Sequence, residues 1–202
     1  MLSDFSKQRQ ESLNTTSQSI KTKKSLIDKL LENAEKNSDQ YRNYIGYAQG
    51  HKDKEKVLVF TCMDERILPD VLFLKGVGDL VIVRNAGAYL TGDAIRSMIV
   101  GIYEGNIKEI MIIGHKDCKM TKVIPETLRR HITRKTGVYP DEIDYYTGGF
   151  NSWLKAFSDP IWNVKRSLNI LKRHPLIPKD VIIRGFVFDE KTGRLEEVFG
   201  GG

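Results

Sequence analysis

Three short apolar runs, at residues 57–60, 80–83 and 110–113, each stop abruptly at polar, glycine- or cysteine-bearing residues. Runs of this length bounded by polar segments read as buried strands. Between the first two, Pro69 suits a first helical turn and opens an apolar helix through Val71, Leu72 and Leu74 that Gly76 ends. Between the second and third, Ala94, Ile95, Met98, Ile99, Ile102 and Tyr103 keep helical spacing, with Thr91 or Asp93 as cap and Gly105-Asn106 as the stop. Strand, helix, strand, helix, strand predicts an α/β fold, a mostly parallel central sheet flanked by helices and joined by right-handed crossovers.

The first and third runs also deliver the only two cysteines of the 202-residue chain. Cys62, Asp64 and Arg66 follow the first run, and His115 and Cys118 follow the third. If these strands are neighbours, the two clusters meet at the carboxyl ends of a parallel sheet, where open α/β folds place ligands. Two thiolates and one imidazole make a Cys₂His zinc site whose fourth position is free for water or a carboxylate, a catalytic arrangement and not a closed structural one. His115 and Cys118 lie three residues apart, so one turn can direct both at one metal. Arg66 can hold the Asp64 carboxylate by a bidentate pair, which leaves Asp64 to accept a hydrogen bond from zinc-bound hydroxide. Plain packing and a disulfide are the competing readings of the cysteines. Residues 1–7 are too polar for a secretory signal, and no apolar run approaches the roughly 20 residues that cross a bilayer. A reducing cytoplasm, which suits thiolates, is the expected compartment.

The sequence Cys62-x-Asp64-x-Arg66, then Arg84-Asn-Ala-Gly87, then His115-x-x-Cys118, resembles the β-class carbonic anhydrases. The likeness covers residues 56–123 and resumes at residues 174–195, where the tail is most similar to the archaeal-type branch. That branch also contains hydrolases of carbon disulfide and carbonyl sulfide. The resemblance implies reversible hydration of carbon dioxide to bicarbonate at a zinc ion held by Cys62, His115 and Cys118, with Asp64 and Arg66 catalytic. In some members the aspartate equivalent to Asp64 takes the fourth zinc position in a closed state. The backbone of Gly87 and Ala88 is expected to border the substrate slot. The family's N-terminal helices pack across the partner subunit, which implies a homodimer or a higher even oligomer here. Two positions depart from the family pattern: Lys119 and Ala88 both stand where glycine is usual. They leave the substrate open between carbon dioxide and its sulfur analogues, and leave room for a zinc protein of this fold that binds bicarbonate or a partner without turnover.

The net charge of +6 is concentrated in residues 119–174, which hold 11 Lys and Arg against 5 Asp and Glu; residues 57–118, with the site, hold 6 against 8. Lacking aromatic interleaving, the basic stretch reads as a solvated face that attracts bicarbonate and other anions, with no nucleic-acid or membrane partner expected. His131 and His174 read as surface or packing residues. Residues 1 to about 20 are polar and expected to be poorly ordered. From Ser25 the pattern turns helical: Leu26, Ile27, Leu30, Leu31 and Ala34 share a stripe that Tyr41, Tyr44, Ile45 and Ala48 continue after Asn37-Ser38. The chain therefore divides into an N-terminal polar segment and helical arm, residues 1–50, and a zinc-binding α/β catalytic domain, residues 51–202. Within the latter, residues 121–159 show no clear period apart from a helix near 126–135. Pro160 starts a helix that His174-Pro175 closes, and the runs at 181–188 and 195–199 flank a hairpin turn at 189–193.

Overall fold

The first apolar run becomes strand β1 (Lys56–Cys62), whose last five residues are all buried. In this computed structural model, which describes residues 25–50, 54–73, 79–142 and 148–200, β1 belongs to a five-stranded sheet. Its neighbours are β2 (Leu80–Asn85) and β3 (Ile107–His115). Strands β4 (Ile182–Asp189) and β5 (Arg194–Val198) complete the order β2-β1-β3-β4-β5. Every junction is parallel except the β4–β5 hairpin. The mostly parallel sheet expected from the sequence is the one observed. From β1 the chain steps outward to β2, then returns across β1 to β3. That reversal is a topological switch point, and it opens a crevice at the carboxyl ends of β1 and β3.

Helices α1 (Leu26–Lys36) and α2 (Ser38–Gly50) come first among the described residues, and α3 (Pro69–Leu72) is the single turn that follows β1. The continuation of α3 expected through Leu74 to Gly76 lies outside the described residues. Between β2 and β3 runs α4 (Gly92–Glu104), capped by Thr91, whose hydroxyl accepts from the Ala94 amide at 3.3 Å. The stretch without a clear period holds α5 (Pro125–Thr136), a 3₁₀ turn at Pro140–Glu142 and α6 (Gly149–Leu154). Asp159 caps α7 (Pro160–Arg173), which buries Asn163, Val164, Ser167, Leu168 and Leu171.

The core is built on the middle of the sheet, where Leu58, Val59, Phe60 and Ile112 are fully buried. Each such side chain contributes about 1.5–3 kcal/mol relative to exposure. α4 and α7 cover the same face. Leu58 stands beside Gly101 of α4 and pairs with Ile110, and Gly114, four residues further along β3, lies under Val164 of α7. A Cβ at Gly185 would come within 2.6 Å of Val164 Cγ1 and 2.7 Å of Leu168 Cδ1, so the missing side chain is what lets α7 lie close to β4.

The chain separates into two compact units, residues 1–44 and residues 45–202. In the first, Ser25 closes a capping box on α1: its hydroxyl accepts from the Asp28 amide at 3.1 Å, and Asp28 Oδ2 accepts from the Ser25 amide at 2.9 Å. Asn37 breaks the helix where the sequence places the break. Leu26, Ile27, Leu30 and Leu31 of α1 are 58–73% exposed. The polar residues 1–20 and the side chain of Ala48 lie outside the described residues. Among the described residues no helix is long and apolar enough to cross a membrane.

Candidate metal centre

Strands β1 and β3 end side by side. Thr61 pairs with Ile113, and its hydroxyl donates to the Ile113 carbonyl at 3.0 Å. Cys62 is the last residue of β1 and His115 the last of β3, so both stand on the carboxyl edge of the sheet. A turn at Lys116 and Asp117 brings Cys118 to the same place. The ligand atoms of Cys62, His115 and Cys118 lie within 4.8 Å of one another, all three residues are buried, and no other such cluster occurs among the described residues.

These three side chains fit a soft divalent cation. With the Glu190 carboxylate accepting from His115 Nδ1, the neutral form of the ring carries its lone pair on Nε2. Among the described residues Nε2 is buried and has no hydrogen-bond partner. A bare polar nitrogen beside two sulfurs is costly unless a cation completes it. The Cys118 thiol, followed by His115 and the Asp64 and Gly87 amides, brings the Cys62 pKa down to about 4 against the opposing effect of burial. That same Cys62 sulfur, together with burial, pushes the Cys118 thiol up. Cys62 is thus the more acidic of the two thiols, and a bound cation would displace the proton of each. Burial works against a charge on His115, but Cys62 and Glu190 outweigh it and raise its pKa.

Asp64 is buried and belongs to Arg66, not to the ligand cluster. Arg66 Nε donates to Asp64 Oδ1 at 2.8 Å and Nη2 to Oδ2 at 2.9 Å, while the Arg66 amide donates to Oδ1 at 3.1 Å. This grip holds the Asp64 carboxyl well below the usual carboxylate range. Arg66 also reaches the β3 side of the site, donating to Asp117 Oδ2 at 2.9 Å and to the Asp117 carbonyl at 3.0 Å. Arg84 at the end of β2 donates to the carbonyls of Cys62, at 2.9 Å, and Asp64, at 2.6 Å. It thereby clamps the loop that carries both. In the sequence Arg84 stands out only as part of a motif, and Asp117 carries no signal of its own.

A cavity of about 110 Å³ opens over Cys62 and is lined by Met63, Asp64, Glu65, Ala86, Gly87, Lys119 and Met120. The Gly87 amide donates to Cys62 Sγ at 3.3 Å. Gly87 has φ +77°, and a Cβ there would lie 2.6 Å from the Phe157 ring, so only glycine fits. Ala88 lies behind the lining, fully buried, with φ +50°. Asn163 of α7 supports this unusual backbone, its Nδ2 donating to the carbonyls of Gly87 and Ala88 at 3.1 Å each. Lys119 opens the 3₁₀ turn Lys119–Lys122 and is not among the residues with positive φ, so it does not need the freedom of glycine. Its side chain is 74% exposed and 3.6 Å from Glu65. Asn163 and Glu190 carry no functional signal in the sequence. One is an internal helix position and the other part of a turn, and each is 75 or 76 residues from the group it serves.

A family model described as carbonic anhydrase matches residues 57–195. "Putative carbonic anhydrase YtiB" of Bacillus subtilis (strain 168) is 34% identical over 186 residues, 88% of this chain and 98% of that protein. A carbon disulfide hydrolase of Acidithiobacillus thiooxidans is 33% identical over 156 residues, 72% of this chain and 78% of its own. The crystal structure of β-carbonic anhydrase isoform I from Trichomonas vaginalis superposes with a TM-score of 0.68 at 26% identity, covering 89% of this chain and all of the other.

Proposed function

The chain belongs to the β-class carbonic anhydrase family, and from that premise we propose that it catalyses the zinc-dependent, reversible hydration of carbon dioxide to bicarbonate. The observation that carries this reading is the Asp64–Arg66 pair in the site that also holds two sulfurs and a bare His115 Nε2, with Cys62 and Asp64 lining a small cavity. Cys62, His115 and Cys118 hold the zinc. Zinc supplies Lewis acidity that brings the ionisation of water toward neutral pH. Asp64, kept anionic by Arg66, orients the attacking oxygen. Among the described residues Oδ1 accepts two bonds and Oδ2 only the one from Arg66, so Oδ2 keeps a lone pair for a proton on the reacting side. Met63, Met120 and the Gly87 backbone form a wall that limits water around the substrate, and Lys119 at the rim attracts the anionic product.

Hydrolysis of carbon disulfide or carbonyl sulfide by the same residues is the second reading, favoured by the likeness to a carbon disulfide hydrolase. A zinc protein without turnover is the third. We further propose that the helical arm of residues 1–50 precedes a catalytic domain of residues 51–202 in a cytoplasmic homodimer or higher even oligomer. The exposed stripe on α1 supports the self-association. Stopped-flow hydration of carbon dioxide by zinc-quantified protein, with sulfide release from carbon disulfide measured in parallel, separates the three. Turnover well above buffer that rises with pH is expected for the first substrate. Sulfide release alone would move the assignment to the second reading, and zinc-loaded silence on both substrates to the third.

A further inference from the structure

The β4–β5 turn presses a carboxylate against the back of a metal-site histidine. His115 stands opposite Phe188 in the β3–β4 ladder, and the Lys116 amide donates to the Phe188 carbonyl at 3.0 Å. Residues just beyond Phe188 therefore pass beside the turn that joins His115 to Cys118. Asp189 closes the turn by itself: its Oδ1 accepts from the amides of Lys191 at 2.9 Å and Thr192 at 3.3 Å, and its carbonyl accepts from Gly193 at 2.8 Å. The turn chemistry asks nothing of position 190. Yet the Glu190 side chain is only 10% exposed, and Oε1 takes His115 Nδ1 and the Asp117 amide, the latter at 3.1 Å. Arg66 Nη2 lies 3.8 Å from the same oxygen. Burying a carboxylate is costly unless it is paired, so a charge placed here calls for a reason that a hairpin does not give.

We propose that Glu190 is a positioning residue for the metal. Its carboxylate holds His115 with the proton on Nδ1 and Nε2 turned toward the sulfurs, and makes that nitrogen a stronger donor. Through Arg66 it also joins the histidine to Asp64, so ligand and carboxylate move as one unit. This inference rests on the metal-site part of the proposed function and not on the choice of substrate.

Two variants of the full chain test it. Glu190→Gln keeps an acceptor for both Nδ1 and the Asp117 amide but removes the charge, whereas Glu190→Ala removes both. Zinc dissociation constants from chelator competition should weaken in the order wild type, Gln, Ala, with Ala about 10- to 100-fold weaker. The visible bands of the cobalt(II)-loaded Gln variant should shift, while the thermal midpoint of its metal-free form stays at the wild-type value. If Gln matches wild type in both zinc affinity and cobalt spectrum, Glu190 is only a loop fastener and the inference falls. A loss of affinity that merely tracks a lower metal-free midpoint overturns it as well. Wild-type protein that takes up no zinc would sink the metal site and this inference together. Tight zinc without carbon dioxide hydration would sink only the substrate assignment, leaving the graded order of the variants to support Glu190.

Discussion

Arg66 grips Asp64 by both carboxylate oxygens, at 2.8 and 2.9 Å, and with its remaining nitrogen reaches Asp117 at 2.9 Å. One guanidinium thus joins the loop after β1 to the loop after β3, on which the three metal-site residues depend. Asp64→Ala is expected to lower kcat/KM for carbon dioxide by on the order of 100-fold or more, the scale of a lost proton acceptor, while zinc stays stoichiometric by elemental analysis. Arg66→Lys should show a similar defect, because an ammonium cannot reproduce the two parallel bonds. Loss of zinc together with activity in Asp64→Ala would make Asp64 a metal ligand and not an acceptor.

Stripping the metal should leave a folded but weaker protein. A ligand present at about 1,000 times its dissociation constant stabilises the native state by about 4 kcal/mol, which for a chain of this size is on the order of 10 °C in Tm. Dipicolinate treatment followed by a thermal scan reads this directly, and zinc added back should restore the midpoint. Cys118→Ser is expected to show the low midpoint from the start, with no response to zinc. A midpoint indifferent to chelation would mean that no metal is bound by Cys62, His115 and Cys118.

The backbone at Gly87 and Ala88 offers opposite outcomes at adjacent positions. Ala88 sits at φ +50°, so Ala88→Gly relieves strain and is expected to raise stability by up to about 1 kcal/mol. Gly87→Ala drives a methyl to within 2.6 Å of the Phe157 ring and should destabilise while disturbing the amide on Cys62. Asn163→Ala leaves two buried carbonyls without their donor, a cost of about 1–3 kcal/mol each. Urea unfolding of the three variants gives the signs, and a stabilised Gly87→Ala would contradict the packing described.

Most of the sheet was legible in the chain because residues 57–60, 80–83 and 110–113 are short apolar runs with sharp polar ends. The metal cluster was legible for a related reason: Cys62 and His115 each sit two positions beyond those runs, where a parallel sheet must bring them together, and Cys118 follows His115 by three residues. Harder to read were groups whose role depends on a distant partner. Glu190 lies in a turn that Asp189 and Gly193 already explain, so its inward direction leaves no periodic trace. Asn163 occupies a helix face like any other polar residue until its two carbonyl partners are seen. α6 escaped notice because it is six residues long, begins after the left-handed Gly148 and ends at the left-handed Lys155, too short to establish a period.

Asp189 allows the hairpin that carries Glu190 to be tested by pH. Its carboxylate meets Lys116 Nζ at 3.0 Å and accepts from two amides of the turn. The Lys116 ammonium first, and then the Lys191 amide, lower its pKa from the ordinary value of 3.8. A carboxyl group more acidic in the folded than in the unfolded chain contributes stability that is complete above the unfolded pKa and fades as pH drops through the folded one. Asp189→Asn retains the amide acceptor and loses only the charge. The Tm gap between wild type and Asp189→Asn should therefore be level from about pH 5 to pH 8 and close progressively below about pH 4. A gap that stays level below pH 4 would show that the Asp189 carboxylate is not favoured in the folded chain, and so is not held by Lys116 in solution.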